Sequence, residues 1–279
     1  MSTATESPLT GLTTMRIERS DCGRVAEVVF ATGPGNPLGT VFWDEFPTVF
    51  PALAEDDDVR AILLRGEGKH FSTGLDLADA RELLAAAGGS ANDRARFLRW
   101  VRHVQGAITA IEKCPKPVVA AIQGACIGGG IDIAAACDIR LASAQAIFSV
   151  REVRVAVLAD GGSLQRLPTL LGEAVARRLL LTGEDFDAER ARYYGLVSDV
   201  YPNPDTLLTE ARALCAHLAE LSPLVLQATK HGLNHCRDLT HEQGLEYVAV
   251  WNAALLASDD LQEAITAFSE KRKPAFGGH

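Results

Sequence analysis

No apolar run in these 279 residues approaches the roughly twenty that a membrane-spanning helix needs, so no membrane partner is expected. The first fourteen residues carry Ser, Thr and Glu6 but no arginine. That pattern fits neither a secretory signal nor an arginine-rich transit peptide, and residues 1–14 read as a disordered tail. The ending Gly277-Gly278-His279 is not a peroxisomal address. Basic residues are in the minority: 27 Lys and Arg against 36 Asp and Glu leave a net charge of −9, a balance that argues against nucleic acid as the main partner. The six cysteines, at 22, 114, 126, 137, 215 and 236, never form a CxxC pair, and three lie in apolar stretches. Reduced thiols in a cytoplasmic protein are therefore expected. A Ser-His-Asp arrangement, a nucleophile elbow and a dinucleotide fingerprint are all missing. With 47% hydrophobic residues, the chain can bury a substantial core, as one large domain or one with a smaller appendage.

What the chain does contain is concentrated between Lys116 and Asp132, KPVVAAIQGACIGGGID. Pro117 can open a strand or sit at its edge, and Val118 to Ile122 is a short apolar run of the kind buried in a sheet. Gly128, Gly129 and Gly130 remove three β-carbons in succession, so a ligand can approach the backbone N–H groups. The alanine-rich run Ile131 to Cys137 reads as a helix, which puts those N–H groups at its positive end, suited to an anion or a polarised carbonyl. A tight turn with close helix packing is the alternative for an isolated Gly-Gly-Gly.

These residues resemble the glycine-rich motif of the crotonase superfamily, the enoyl-CoA hydratases and isomerases. A second family motif lies upstream at the matching distance, Ala61 to Leu77, AILLRGEGKHFSTGLDL, and the resemblance runs from about Met15 to Phe276. It implies an α/β fold, a crotonase-like spiral of ββα units with a C-terminal helical trimerisation region. It also implies acyl-coenzyme A thioesters as ligands, with coenzyme A entering only as part of the substrate, no other cofactor and no metal. By the same resemblance the backbone N–H groups of Leu75 and Gly129 form the oxyanion hole. Ser72, Thr73, Gly74, Leu75, Asp76, Gly128 and Gly129 line the acyl-CoA site, and Lys230 and Lys271 are candidates for the coenzyme A phosphates. The residue readings beside these are plainer: the Ser72 and Thr73 hydroxyls can cap the next helix, and both lysines can be solvated surface groups. Asn36-Pro37-Leu38 matches a loop pattern of the family, without the basic residue many relatives place before it.

Elsewhere the spacing predicts a hairpin from Met15–Arg19 and Val25–Ala31, a helix capped by Thr40, and a strand over Ala61–Leu64. Glu82 to Asn92 starts like a helix, runs into Gly88, Gly89 and Ser90, and reads as mobile. From Asp93 to Lys113 the positions Phe97, Val101, Val104, Ile108 and Ile111 recur at helical spacing, which assigns them to core packing rather than ligand contact. Asp138–Ala142 and Ile147–Val150 read as strands, Ala174–Thr182 as a helix, and Tyr193–Asn203 resembles the family's closing strand. Pro202–Asp205 divides a core over 15–201 from a helical region over 202–279, whose apolar faces exceed what it can bury and so call for association, which the family resemblance implies to be a homotrimer or a dimer of trimers. His231, His235, Cys236 and His241 are metal-ligand types in one neighbourhood but lack a recognisable third-ligand spacing.

Asp132, Glu152 and Asp160 stand twenty and eight residues apart, and the crotonase fold would bring all three to one pocket. The hydratases carry glutamates at the first two positions. Here the first is an aspartate, and the three acids, with CPKPVVAA, CIGGGID, ACDIR and LAD followed by LQRLP, are most similar to the Δ3,5-Δ2,4-dienoyl-CoA isomerases. That resemblance implies Asp160 as the base at C2, Glu152 as the acid near C6, and Asp132 as a like charge that keeps Glu152 protonated. Taken alone, Asp160 before Gly161-Gly162 reads first as a turn or N-cap residue. Arg154 and Ala156 depart from the isomerase pattern, and on a strand Arg154 would share a face with Glu152. An enoyl-CoA hydratase, another crotonase-type enzyme, and a non-catalytic acyl-CoA- or RNA-binding relative are the alternatives.

Overall fold

The computed structural model describes residues 9–79 and 88–279. The hairpin forms as β1 (Met15–Arg19) and β2 (Val25–Phe30), antiparallel. Four parallel additions then follow in chain order: β4 (Ala61–Gly66), β6 (Val118–Ile122), β8 (Ile139–Ser143) and β11 (Asp199–Tyr201), giving a six-stranded sheet ordered β1-β2-β4-β6-β8-β11. The strands between them build a second layer. β3 (Pro37–Leu38) pairs with β5 (Gly74–Leu75), an isolated bridge joins Ser72 to Cys126, and β7 (Ala125–Ile127), β9 (Ile147–Ser149) and β10 (Phe186–Asp187) form a three-stranded sheet. Each turn of the spiral thus gives one strand to each layer.

Alternation along the large sheet explains why its strands read as unbroken apolar runs. Ile62, Leu64, Val118, Ala120 and Ile122 face the main core, with α1 (Thr40–Ala54), which supplies Phe42, Trp43, Phe46 and Phe50, and α2 (Ala91–Lys113). Ala61, Leu63, Val119 and Ala121 face the other way, against Leu207, Ala211, Cys215 and Ala219 of α7 (Pro204–Glu220). Buried Glu27 of β2 is held on that face by Arg65 at 2.9 Å and Arg212 at 2.6 Å. Burial alone would raise its pKa, and the two guanidinium groups leave it lowered. So the helix just past the expected boundary at Pro202 covers the sheet, and only α8 (Pro223–Cys236), α9 (His241–Leu255) and α10 (Asp259–Glu270) lie beyond it.

Several local expectations shift. Gly39, not Thr40, occupies the N-cap of α1, and the Thr40 N–H donates to Asp79 at 2.6 Å. Only Asp199–Tyr201 of the expected closing strand is extended, because α6 (Ala188–Tyr194) occupies its start. Residues 82–87 of the segment read as mobile lie outside the described residues, and 91–92 open α2 behind a Ser90–Asp93 capping box.

Candidate active site

The glycine run does two separate jobs. Gly128 sits at φ 53°, ψ −120°, and a Cβ there would lie 3.0 Å from Glu152 Oε1, so only glycine admits the carboxyl group. Its own N–H donates to Ser149 O at 2.9 Å. Gly129 opens α3 (Gly129–Ala136), where the first N–H groups have no intrahelical acceptor. In the other motif, Thr73 N donates to Gly35 O, Gly74 N to Ser72 Oγ and Asp76 N to Leu38 O. Successive amides along a strand point to opposite edges, so with Asp76 facing β3 the Leu75 N–H points away from it.

Leu75 and Gly129 line a cavity of about 170 Å³ together with Asp132, Glu152, Asp160 and Gly161. Its apolar wall is Leu38 and Trp43 from the first turns of the fold, Phe97, Trp100, Val104 and Ile108 from α2, and Val157 and Leu158. The α2 positions expected to be core alone therefore include cavity wall. Trp100 is also on that wall, and its place three residues after Phe97 and four before Val104 was the available signal.

Asp132 is 3% exposed in the first turn of α3, and its Oδ1 accepts from both the N–H and the Oγ of Ser163, each at 2.6 Å. Ser163 opens α4 (Ser163–Leu171), so the helix N–H nearest a capping Asp160 is taken by Asp132 instead. Burial pushes the Asp132 carboxyl up to about 6 against those two bonds and the Arg166 charge. Burial pushes Glu152 up to about 7, opposed by its own backbone amide and aided by the negative charges of Asp132 and Asp160. Glu152 Oε2 is buried without a hydrogen-bond partner among the described residues, free to meet a ligand. Burial also raises Asp160, which is only partly buried. Three neighbouring carboxyl groups thus titrate above their usual range, which fits proton transfer near neutral pH.

Arg154 does not share this site. β9 ends at Ser149, and Glu152–Val155 is a turn of 3₁₀ helix closed by Ala156 at φ 58°. The turn sends Arg154 to Asp185 at 3.1 Å, alongside Arg151 at 2.6 Å.

The coenzyme A assignment of Lys230 needs correction. Its side chain is 7% exposed, pairs with Asp138 at 2.7 Å and donates to the carbonyls of Ile111 and Lys116, each at 3.0 Å. All three ammonium protons are used inside the protein, which also removes the reading as a solvated surface lysine. Lys271 is exposed at the C-cap of α10, φ 55°. The Ser72 hydroxyl is fully buried, donating to Asn36 O at 2.8 Å and accepting from Gly74 N, so it braces the loop rather than capping a helix. Asp76 is the residue that accepts from Ala78 N, at 2.9 Å. Thr73 is exposed. His231 and His235 stack on each other beside a tilted Tyr247 ring, and among the described residues no group of three His, Cys, Asp or Glu is placed to hold a metal ion.

A family model described as "Enoyl-CoA hydratase/isomerase" matches residues 23–279. The chain is 43% identical over 265 residues to a mitochondrial Δ(3,5)-Δ(2,4)-dienoyl-CoA isomerase of Dictyostelium discoideum, covering 94% of this chain and 90% of that protein. It is 45% identical over 245 residues to a peroxisomal one of Arabidopsis thaliana, covering 86% and 88%. The crystal structure of an enoyl-CoA hydratase from Bacillus anthracis superposes with a TM-score of 0.87 at 27% identity, covering 96% of this chain and all of that one.

Proposed function

The chain belongs to the enoyl-CoA hydratase/isomerase family, and from that premise we propose that it shifts the double bonds of a 3,5-dienoyl-CoA to the 2,4 positions. The observation that carries this reading is the convergence of Asp132, Glu152 and Asp160 on one apolar cavity, with burial raising the pKa of all three.

Asp160 takes a proton from C2. The electron pair moves into the thioester carbonyl, whose oxygen is held by the N–H groups of Leu75 and Gly129, a contribution of about 3 kcal/mol for one such donor. The resulting dienolate extends to C6, where Glu152 delivers its proton, and the C3 and C5 double bonds become C2 and C4 double bonds. A carboxyl with a pKa near 7 suits that donor role, since half of it is protonated at neutral pH. Burial is the main reason Glu152 holds its proton, with Asp132 second.

Hydration by Asp132 and Glu152 is the rival. It is disfavoured because Asp132 Oδ1 is occupied by both Ser163 donors, leaving it poorly placed to hold a water. A non-catalytic acyl-CoA- or RNA-binding role leaves three raised acids unexplained. The deciding experiment follows conjugated-diene absorbance from 3,5-dienoyl-CoA beside hydration of 2-enoyl-CoA. Faster hydration transfers the assignment to the hydratases.

We further propose a homotrimer or dimer of trimers, supported by Leu233, Val250, Ile265 and Phe268, which are 56% to 87% exposed on α8–α10. Light scattering that finds only monomer at micromolar concentration refutes it. Lys271 remains our candidate for a coenzyme A phosphate. The relatives' names are mitochondrial and peroxisomal. A cytoplasmic site is our proposal for this chain; its six free cysteines fit any reducing compartment, and cell fractionation is the check.

A further inference from the structure

The loop that carries Asp160 has little to hold it in place by itself. Two glycines follow, Gly162 lies at φ 124°, and no other side chain is hydrogen-bonded to the Asp160 carboxyl group among the described residues. Its orientation has to come from the backbone, and the backbone is gripped at two successive peptide units. Gln105 Nε2 donates to Asp160 O at 2.8 Å, and Arg166 Nη1 donates to Gly161 O at 3.2 Å.

Arg166 is itself anchored. Its Nη2 meets Glu112 at 2.9 Å and Thr109 Oγ1 at 3.3 Å, with the arginine and glutamate side chains 10% and 19% exposed. Arg237, at the C-cap of α8, holds the other oxygen of Glu112 at 3.3 Å. The guanidinium lies over Gly162, where a Cβ would fall 1.8 Å from Nη1, so the glycine is what admits it. Gln105, Thr109 and Glu112 lie on α2, on a face next to the one whose Phe97, Trp100, Val104 and Ile108 wall the cavity.

We propose that Arg166 and Gln105 are positioning residues, which fix the Asp160 carboxylate at the substrate by clamping the Asp160 and Gly161 carbonyls to α2. The proposal rests on the isomerase reading for its kinetic consequence and on geometry alone for the clamp. Neither residue lines the cavity, so neither touches the reacting atoms. A base displaced by an ångström costs up to roughly a hundredfold in rate, whereas a bound acyl chain feels little of it.

The test uses the full-length protein and three variants, Arg166→Met, Arg166→Lys and Gln105→Leu. For Arg166→Met, kcat on 3,5-dienoyl-CoA falls roughly tenfold to a hundredfold with KM within about twofold, and Arg166→Lys, which keeps the charge beside Glu112, recovers part of it. Exchange of the Ser163 amide hydrogen in the free protein speeds up by about tenfold in Arg166→Met. Should that variant fail to fold, Gln105→Leu, an exposed site, gives the decision: kcat lower by about threefold or more supports the clamp. Unchanged kcat and unchanged Ser163 exchange in folded variants overturn it. A wild-type protein inactive on the dienoyl substrate sinks the isomerase reading only, and the exchange comparison still decides the clamp.

Discussion

Replacing Ser163 by alanine isolates one bond to a buried carboxylate. The serine is fully buried, alanine keeps the N–H contact to Asp132 Oδ1, and only the 2.6 Å hydroxyl bond is lost. A hydrogen bond between neutral groups contributes about 1 kcal/mol and one to a charged group about 1.5–3 kcal/mol. Which value applies depends on whether Asp132 is ionised. Burial raises its pKa from 3.8 to about 6 in the folded state, so ionisation opposes folding. The penalty is absent below the unfolded value, grows as pH rises, and is complete above about 6, at about 3 kcal/mol for a shift of this size. In Ser163→Ala the carboxylate loses a charge-assisted partner, so its pKa rises further by about one unit and the penalty deepens by about 1–2 kcal/mol. The variant should therefore be less stable than wild type by about 1 kcal/mol at pH 5 and by about 2–3 kcal/mol at pH 8. Urea unfolding of both proteins at the two pH values and one protomer concentration measures this directly. An equal difference at both would mean that the hydroxyl does not support the charge on Asp132, and the reasoning fails.

Asp160→Asn keeps the size and turn preferences of the residue, so dienoyl-CoA turnover should fall by roughly a hundredfold or more while melting temperature and ligand affinity hold. Turnover near wild type would leave Asp160 as a turn residue. Lys230→Met strands the Asp138 carboxylate in the interior and should cost about 3–5 kcal/mol in thermal or urea unfolding with KM for the acyl-CoA unchanged, whereas a coenzyme A contact would raise KM and spare stability. Gly128→Ala forces a side chain into a left-handed position against Glu152, so activity should be lost from a protein whose circular dichroism still shows the fold; full activity would contradict the packing of Glu152 on that glycine.

The strands and turns around Lys116–Asp132 were legible because proline, an apolar run and three glycines each restrict the backbone locally. The hairpin and α2 were legible for the same reason, their periodicities being local. What periodicity cannot tell is the nature of the opposite wall. Phe97, Val104 and Ile108 present an apolar stripe whether it meets side chains or a space for an acyl chain, and their role as cavity wall emerged only with Leu38 and Trp43 in place. Lys230 failed in the same way: on α8 it looks like any exposed lysine until Asp138 and two carbonyls, more than ninety residues earlier, close around it. The direction of Arg154 hinged on one residue, since Ala156 in the left-handed region ends the 3₁₀ turn and no rule of strand alternation survives there.

The order of the large sheet has a bearing on how the protein is made. Every strand after the first is laid beside the one the sheet received before it, so the sheet grows in one direction in the order in which its strands are made. A chain emerging from the ribosome can therefore extend its sheet from the first hairpin outward, and the acid site is complete once Ser163 reaches Asp132. The outer face follows a later schedule. Ala61, Leu63, Val119 and Ala121 are synthesised long before the helix bearing Leu207, Ala211, Cys215 and Ala219 arrives to cover them. Throughout that interval the nascent chain shows an uncovered apolar face on a sheet still receiving β8 and β11, which makes translation between residues 122 and 220 the period when it most needs a chaperone.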